Sequence, residues 1–198
     1  MRKSKYQKLI SLQSITTLIA AIATVIVLIG GTIELASASQ PNAKSDIEQL
    51  AVCYALGTDA IGRGDIQVGK NIYQDCFTTD AKITAIFPDG VTTATRFGTN
   101  DWADFVASVF QGNGYVATQH LMGTFNITIN GNTATMTSYL NATHKRSDTS
   151  IDIANGTYED DVIQQNGRWK IRRRTLKLIT FLNLVSPPSN PGLRMPAQ

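Results

Sequence analysis

Two long runs rich in Thr, Ile, Tyr and Phe, Gly114 to Ile129 and Asn132 to Arg146, flank the dipeptide Asn130-Gly131. Asn-Gly accepts positive φ and closes a tight hairpin, so these runs are expected to pair antiparallel. Two further runs follow, Ile151 to Gln164 and Arg168 to Leu182, joined by a polar Ser147-Asp148 corner and a second Asn-Gly turn at Asn166-Gly167. Four successive long strands make an antiparallel sheet, and such a sheet needs a partner layer for its apolar face.

The partner layer lies upstream. Ser45-Asp46-Ile47-Glu48 reads as a capping box, and Ile47, Leu50, Ala51, Tyr54, Thr58 and Ile61 follow at helical spacing. Gly62 and Gly64 end that helix at about Arg63, and Asp65 is placed to cap a second, Ile66 to Cys76. Short strands are expected at Ala81 to Phe87 and Val91 to Phe97, around the turn Pro88-Asp89-Gly90. A third helix, capped by Thr99 or Asn100, carries Trp102, Phe105, Val106, Val109 and Phe110 on one stripe. Helices then strands give an α+β fold: three helices packed on one face of a strongly curved antiparallel sheet, enclosing a cone-shaped cavity.

The N-terminus has a different character. Arg2, Lys3, Lys5 and Lys8 precede an apolar run from Leu18 to Ile33, and Ala36-Ser37-Ala38 follows. This pattern predicts a signal peptide over residues 1–38. The alternative is an uncleaved membrane anchor, because Ile15 to Ala36 is nearly long enough to span a bilayer. Either way the folded part is expected outside the cytoplasm, secreted or periplasmic. A linker (39–44), the domain (45–182) and a tail (183–198) with Pro187, Pro188 and Pro191 complete the expected organisation. The formal charge of +3 belongs to the leading segment: without it, 14 basic and 14 acidic residues remain. Nucleic acid is therefore not an expected partner. Cys53 and Cys76 form either a disulfide, as an oxidising compartment permits, or two buried thiols. No C-x-x-C and no His/Cys cluster has metal-ligand spacing, so neither metal nor cofactor is expected.

Tyr54 to Asp65 (YALGTDAIGRGD), Cys76 to Ala81 (CFTTDA), Gln119 to Gly123 (QHLMG), Ala142-Thr143-His144 and Gly167 to Ile171 (GRWKI) resemble, in order and spacing, the SnoaL-like branch of the NTF2-like superfamily. The resemblance covers Ile47 to Phe181 and implies the same cone. That superfamily includes scytalone dehydratase, ketosteroid isomerase and polyketide cyclases. In the dehydratase an Asp late in the first helix and two strand histidines line the pocket, and Asp59, His120 and His144 match those positions. Thr58 stands where the dehydratase has a Tyr, a departure from its pattern.

The residues support a site on their own terms. Ala134, Met136, Ser138, Leu140, Ala142 and His144 share the more apolar face of their strand, which puts His144 inside, and Asp59 is its expected partner. An Asp–His pair fixes an imidazole tautomer and prepares a general base. His120 has the opposite parity to Leu121, Phe125, Ile127 and Ile129, so it faces inward only if a β-bulge near Gly123 swaps the faces. Tyr54, Tyr158, Met136 and Trp102 are the expected substrate-binding residues. With Trp169 inward, Arg173 is expected inward too, paired with Asp160 or Asp59. Two functions stay open: a cofactor-independent dehydratase, isomerase or cyclase acting on a small, largely apolar molecule, and a non-catalytic ligand-binding or oligomerisation module. A homodimer through the open sheet face is expected in either.

Overall fold

A computed structural model describes residues 43–186. The expected targeting segment, most of the linker and the proline-containing end of the tail lie outside the described residues.

Helix α1 (Ala43–Gly62) buries Ile47, Leu50, Ala51, Tyr54, Thr58 and Ile61, the stripe that its spacing predicts. It is already helical at Ala43, so Ser45 lies in the first turn rather than ahead of it. After Gly64, whose φ is 92°, helix α2 (Ile66–Cys76) returns against α1. Asp65 occupies the N-cap position of α2 but makes no side-chain capping bond. Cys53 and Cys76 form a disulfide between the two helices, with Cα atoms 5.8 Å apart. A loop of 23 residues closed in this way stabilises by about 3 kcal/mol.

Strand β1 (Phe77–Ile86) follows α2 without a break, starting four residues earlier than Ala81. Strand β2 (Thr93–Phe97) pairs with it, and helix α3 (Thr99–Gly112) begins after Gly98, which takes the N-cap position in place of a side-chain cap from Thr99 or Asn100. Then come β3 (Ala117–Asn130), β4 (Thr133–Lys145), β5 (Ser150–Gln165) and β6 (Arg168–Val185). Strand β6 thus extends three residues into the stretch expected as tail. The sheet order is β2-β1-β6-β5-β4-β3, open at both ends.

Two features of the sheet depart from the sequence reading. The sheet is mixed: β1 runs parallel to β6, while every other pairing is antiparallel. Local turns set direction in the hairpins, but strands far apart in sequence have no turn to set theirs. The two Asn-Gly dipeptides also act differently. At Asn166-Gly167 both residues have positive φ, 51° and 76°, and form the two-residue loop of a hairpin. At the other, Asn130 still pairs with Thr133, and Gly131 with φ 56° leads the loop Gly131-Asn132.

Bulges bend the sheet. The register shifts between Gly123 and Asn126 of β3, with Thr124 at φ 52°, and twice in the β5–β6 pairing. One extra residue switches which face a strand presents. In β6 the extra residue is Arg172, since Val162 pairs with Ile171 but Asp161 with Arg173. Arg174, not Arg173, therefore turns inward. It is fully buried, holds Asp160 through two hydrogen bonds of 2.7 and 2.6 Å, and lies over the rings of Tyr54 and Tyr158. Arg173 makes a solvent-facing pair with Asp161 at 3.1 Å.

Candidate functional site

The site forms where the end of α1 meets the edge strand β3. A Cβ placed on Gly62 would collide with the Thr118 side chain, so this glycine permits the close approach. Asp59 lies one turn earlier on α1 and is brought within reach of β3. Among the described residues strand β3 pairs only with β4, and an edge strand carries unpaired backbone donors. Asp59 takes one of them: its Oδ2 accepts from the His120 backbone N–H at 3.2 Å. Its Oδ1 is 2.7 Å from His120 Nδ1 and accepts from the Thr118 hydroxyl at 2.9 Å. Burial alone would raise the Asp59 carboxyl. The hydrogen bond and charge of His120, with the bonds from its backbone and from Thr118, outweigh that and hold the carboxyl below its ordinary value.

The bulge at Gly123 turns His120 inward. Thr118, His120 and Met122 face the helices before it, Phe125 and Ile127 after it, and Leu121 is left exposed. Nδ1 donating to the carboxylate leaves Nε2 as the acceptor nitrogen, the arrangement of a general base.

His144 is buried on the inward face of β4, as its alternation predicts. Its neighbour is not Asp59. The two imidazoles stand edge to face with centroids 5.4 Å apart, and Asp59 binds His120. The cause is geometric: β4 lies one strand in from the edge that α1 reaches. Burial first, then the neighbouring His120, push the His144 imidazole down to about 4, so it is uncharged at neutral pH. Tyr115 packs on it at 4.8 Å, and the Tyr115 hydroxyl donates to Asp152 at 2.6 Å. Phe110 contacts both imidazoles, at 6.4 and 5.4 Å.

These groups open on a cavity of about 100 Å³ under the helices. His120 and His144 line it, with Tyr54, Tyr158, Trp102 and a ring of Phe, Leu and Val side chains. Three of the four expected binding residues are therefore at its wall. The fourth, Met136, is fully buried in the core and does not line it. No Lys, Arg, Asp or Glu is among the lining residues. Arg174 and Asp160 lie behind Tyr54 and Tyr158.

Sequence reasoning missed Thr118 and the edge position of His120. Thr118 lies two residues before His120, so alternation would have put it on the same face.

The sequence matches the SnoaL-like domain family over residues 42–175. The chain belongs to this family. No curated protein matches it. Solved structures share its fold. A candidate scytalone dehydratase from Novosphingobium aromaticivorans is 18% identical, with 74% of this chain and 93% of that one covered and a TM-score of 0.55. The hexachlorocyclohexane dehydrochlorinase LinA-type3 from Novosphingobium barchaimii is 13% identical, covering 78% and 94% with a TM-score of 0.57. A protein of unknown function with a cystatin-like fold from Nostoc punctiforme is 20% identical, covering 76% and 95% with a TM-score of 0.52. At these identities the likeness is one of fold. The SnoaL-like chain is thus an α+β cone of the NTF2-like superfamily, its described residues forming three helices on an open, mixed six-stranded sheet.

Proposed function

We propose that this SnoaL-like protein works outside the cytoplasm as a cofactor-independent lyase or isomerase on a small, largely apolar molecule. One observation carries the reading: the carboxylate of Asp59 holds His120 at 2.7 Å, and that imidazole lines an apolar cavity beside an uncharged His144. His120 Nε2 would take a proton from a substrate carbon. Asp59 would stabilise the imidazolium that results, and His144 would hydrogen-bond an oxygen or a leaving group. The roles of the two histidines are thereby exchanged relative to the sequence reading. Dehydration and dehydrochlorination, the reactions in the names of two structural neighbours, both remove a proton from carbon and a leaving group from its neighbour. The signal-like N-terminus and the Cys53–Cys76 disulfide support an oxidising compartment.

A panel of small cyclic ketones in D₂O tests this without a known substrate. NMR should detect exchange of C–H protons next to the carbonyl, and His120→Ala should abolish that exchange. A panel that binds without exchange would remove the catalytic reading.

A second reading, a non-catalytic binding or oligomerisation module, is favoured by the modest volume of the cavity and by the outer sheet face. There Leu121, Tyr139 and Ile179 are exposed around a shallow groove, and a homodimer would use this face.

A further inference from the structure

One cavity-lining side chain has a buried polar atom without a partner among the described residues: the indole Nε1 of Trp102. The side chain is nearly inaccessible, 3% exposed. A buried polar atom left unpaired costs roughly 1–3 kcal/mol, so one beside a cavity calls for an explanation. The indole nitrogen is a donor only, and what completes it must bring a lone pair. A cationic ligand would find no Asp or Glu among the described lining residues to pair with its charge. An anionic ligand would bring a lone pair but would find no Lys or Arg among the described lining residues: Arg174 is engaged twice by Asp160 behind the Tyr54 and Tyr158 rings, and Arg96 lies over the Phe105 ring and pairs with Asp101. Burying such a charge unpaired is prohibitive.

We propose that the ligand is an uncharged molecule with an apolar body and an oxygen acceptor, and that the Trp102 indole N–H is the specificity donor that recognises that oxygen. Trp102 stands eight residues before Phe110 on α3, roughly 12 Å of helix rise. Phe110 packs on both histidines, so the indole reads a part of the ligand away from the imidazoles. It would fix which carbon is presented to His120. The inference rests on the reading of this cavity as a small-molecule site and adds the ligand's charge and its required functional group.

The chain has two tryptophans, and Trp169 provides a control. Its Nε1 is also buried and unpartnered, but Trp169 does not line the cavity. The test titrates the full folded protein with acetophenone, ethylbenzene and benzoate, following the two indole N–H signals by ¹H–¹⁵N NMR, with Trp102→Phe identifying which is which. Acetophenone should move the Trp102 indole proton downfield and leave Trp169 in place. It should bind more tightly than ethylbenzene, and benzoate should bind least. Trp102→Phe should weaken acetophenone about threefold to tenfold, the worth of one hydrogen bond, and leave ethylbenzene unchanged. Equal binding of acetophenone and ethylbenzene with a stationary Trp102 signal would overturn the proposal while sparing the apolar site. Failure of both to perturb Trp102 and the histidines would overturn the small-molecule reading itself. If Trp102→Phe does not fold, Trp169→Phe assigns the same two signals and the wild-type titration decides.

Discussion

Two carboxylates on the inner side of this cone each hold a nitrogen base, and they do opposite things. Asp160 and Arg174 are fully buried, joined by two hydrogen bonds, with aromatic rings stacked on the guanidinium. Asp59 and His120 are joined through one ring nitrogen, and the other nitrogen is left for whatever enters the cavity. The first pair ties β5 to β6 and lies outside the cavity lining, so the one guanidinium nitrogen left without a partner, Nη1, has no space beside it. The second keeps a valence in reserve. A carboxylate–base pair in a core is not a site by itself; a site needs a free atom and a space beside it.

If that contrast is right, the largest stability loss belongs to the sealed pair. Asp160→Ala strands a buried guanidinium and should cost about 3–5 kcal/mol in urea unfolding. His120→Ala should cost much less, and equal losses would erase the distinction. Next in size is the disulfide between α1 and α2, close to the sealed end through Tyr54. The double change Cys53→Ser with Cys76→Ser should lower stability by about 3 kcal/mol, read as a fall in denaturation midpoint.

The cavity end should answer to pH. The His144 folded-state value of about 4 lies below the ordinary 6.5, so the unfolded chain takes up a proton first as pH falls. Stability is therefore undiminished above pH 6.5 and declines between there and about 4.5, by roughly 2 kcal/mol. Asp59 does not offset this loss, because its lowered value confines its own titration to more acidic conditions. His144→Gln should flatten the thermal midpoint over that window. The smallest effect concerns placement. Gly62→Ala pushes α1 away from Thr118 and should cost about 1–2 kcal/mol, yet it should disrupt the Asp59–His120 contact as seen in the histidine NMR signals.

Much of the cone was legible in the sequence because helical stripes and alternation are local. The stripes on α1 and α3, the hairpins and the inward face of β4 with His144 all follow from spacing. What spacing cannot carry is a single inserted residue. The extra residue at Arg172 exchanged Arg173 for Arg174, and an irregularity near Gly123, which the turn-prone glycine did signal, brought His120 inside. The partner of Asp59 was missed for a longer-range reason. Which strand lies at the edge, and so offers a free N–H to the end of α1, depends on strand order, and strand order includes the parallel β1–β6 pairing that no turn encodes.

Asp59 holds the His120 Nδ1 proton and so keeps Nε2 available to the cavity. Imidazole ¹⁵N NMR of the protein at pH 8 measures this directly. His120 should carry its proton at Nδ1 and leave Nε2 bare, with that preference lost in Asp59→Ala. A His120 protonated at Nε2, or one indifferent to Asp59→Ala, would contradict it.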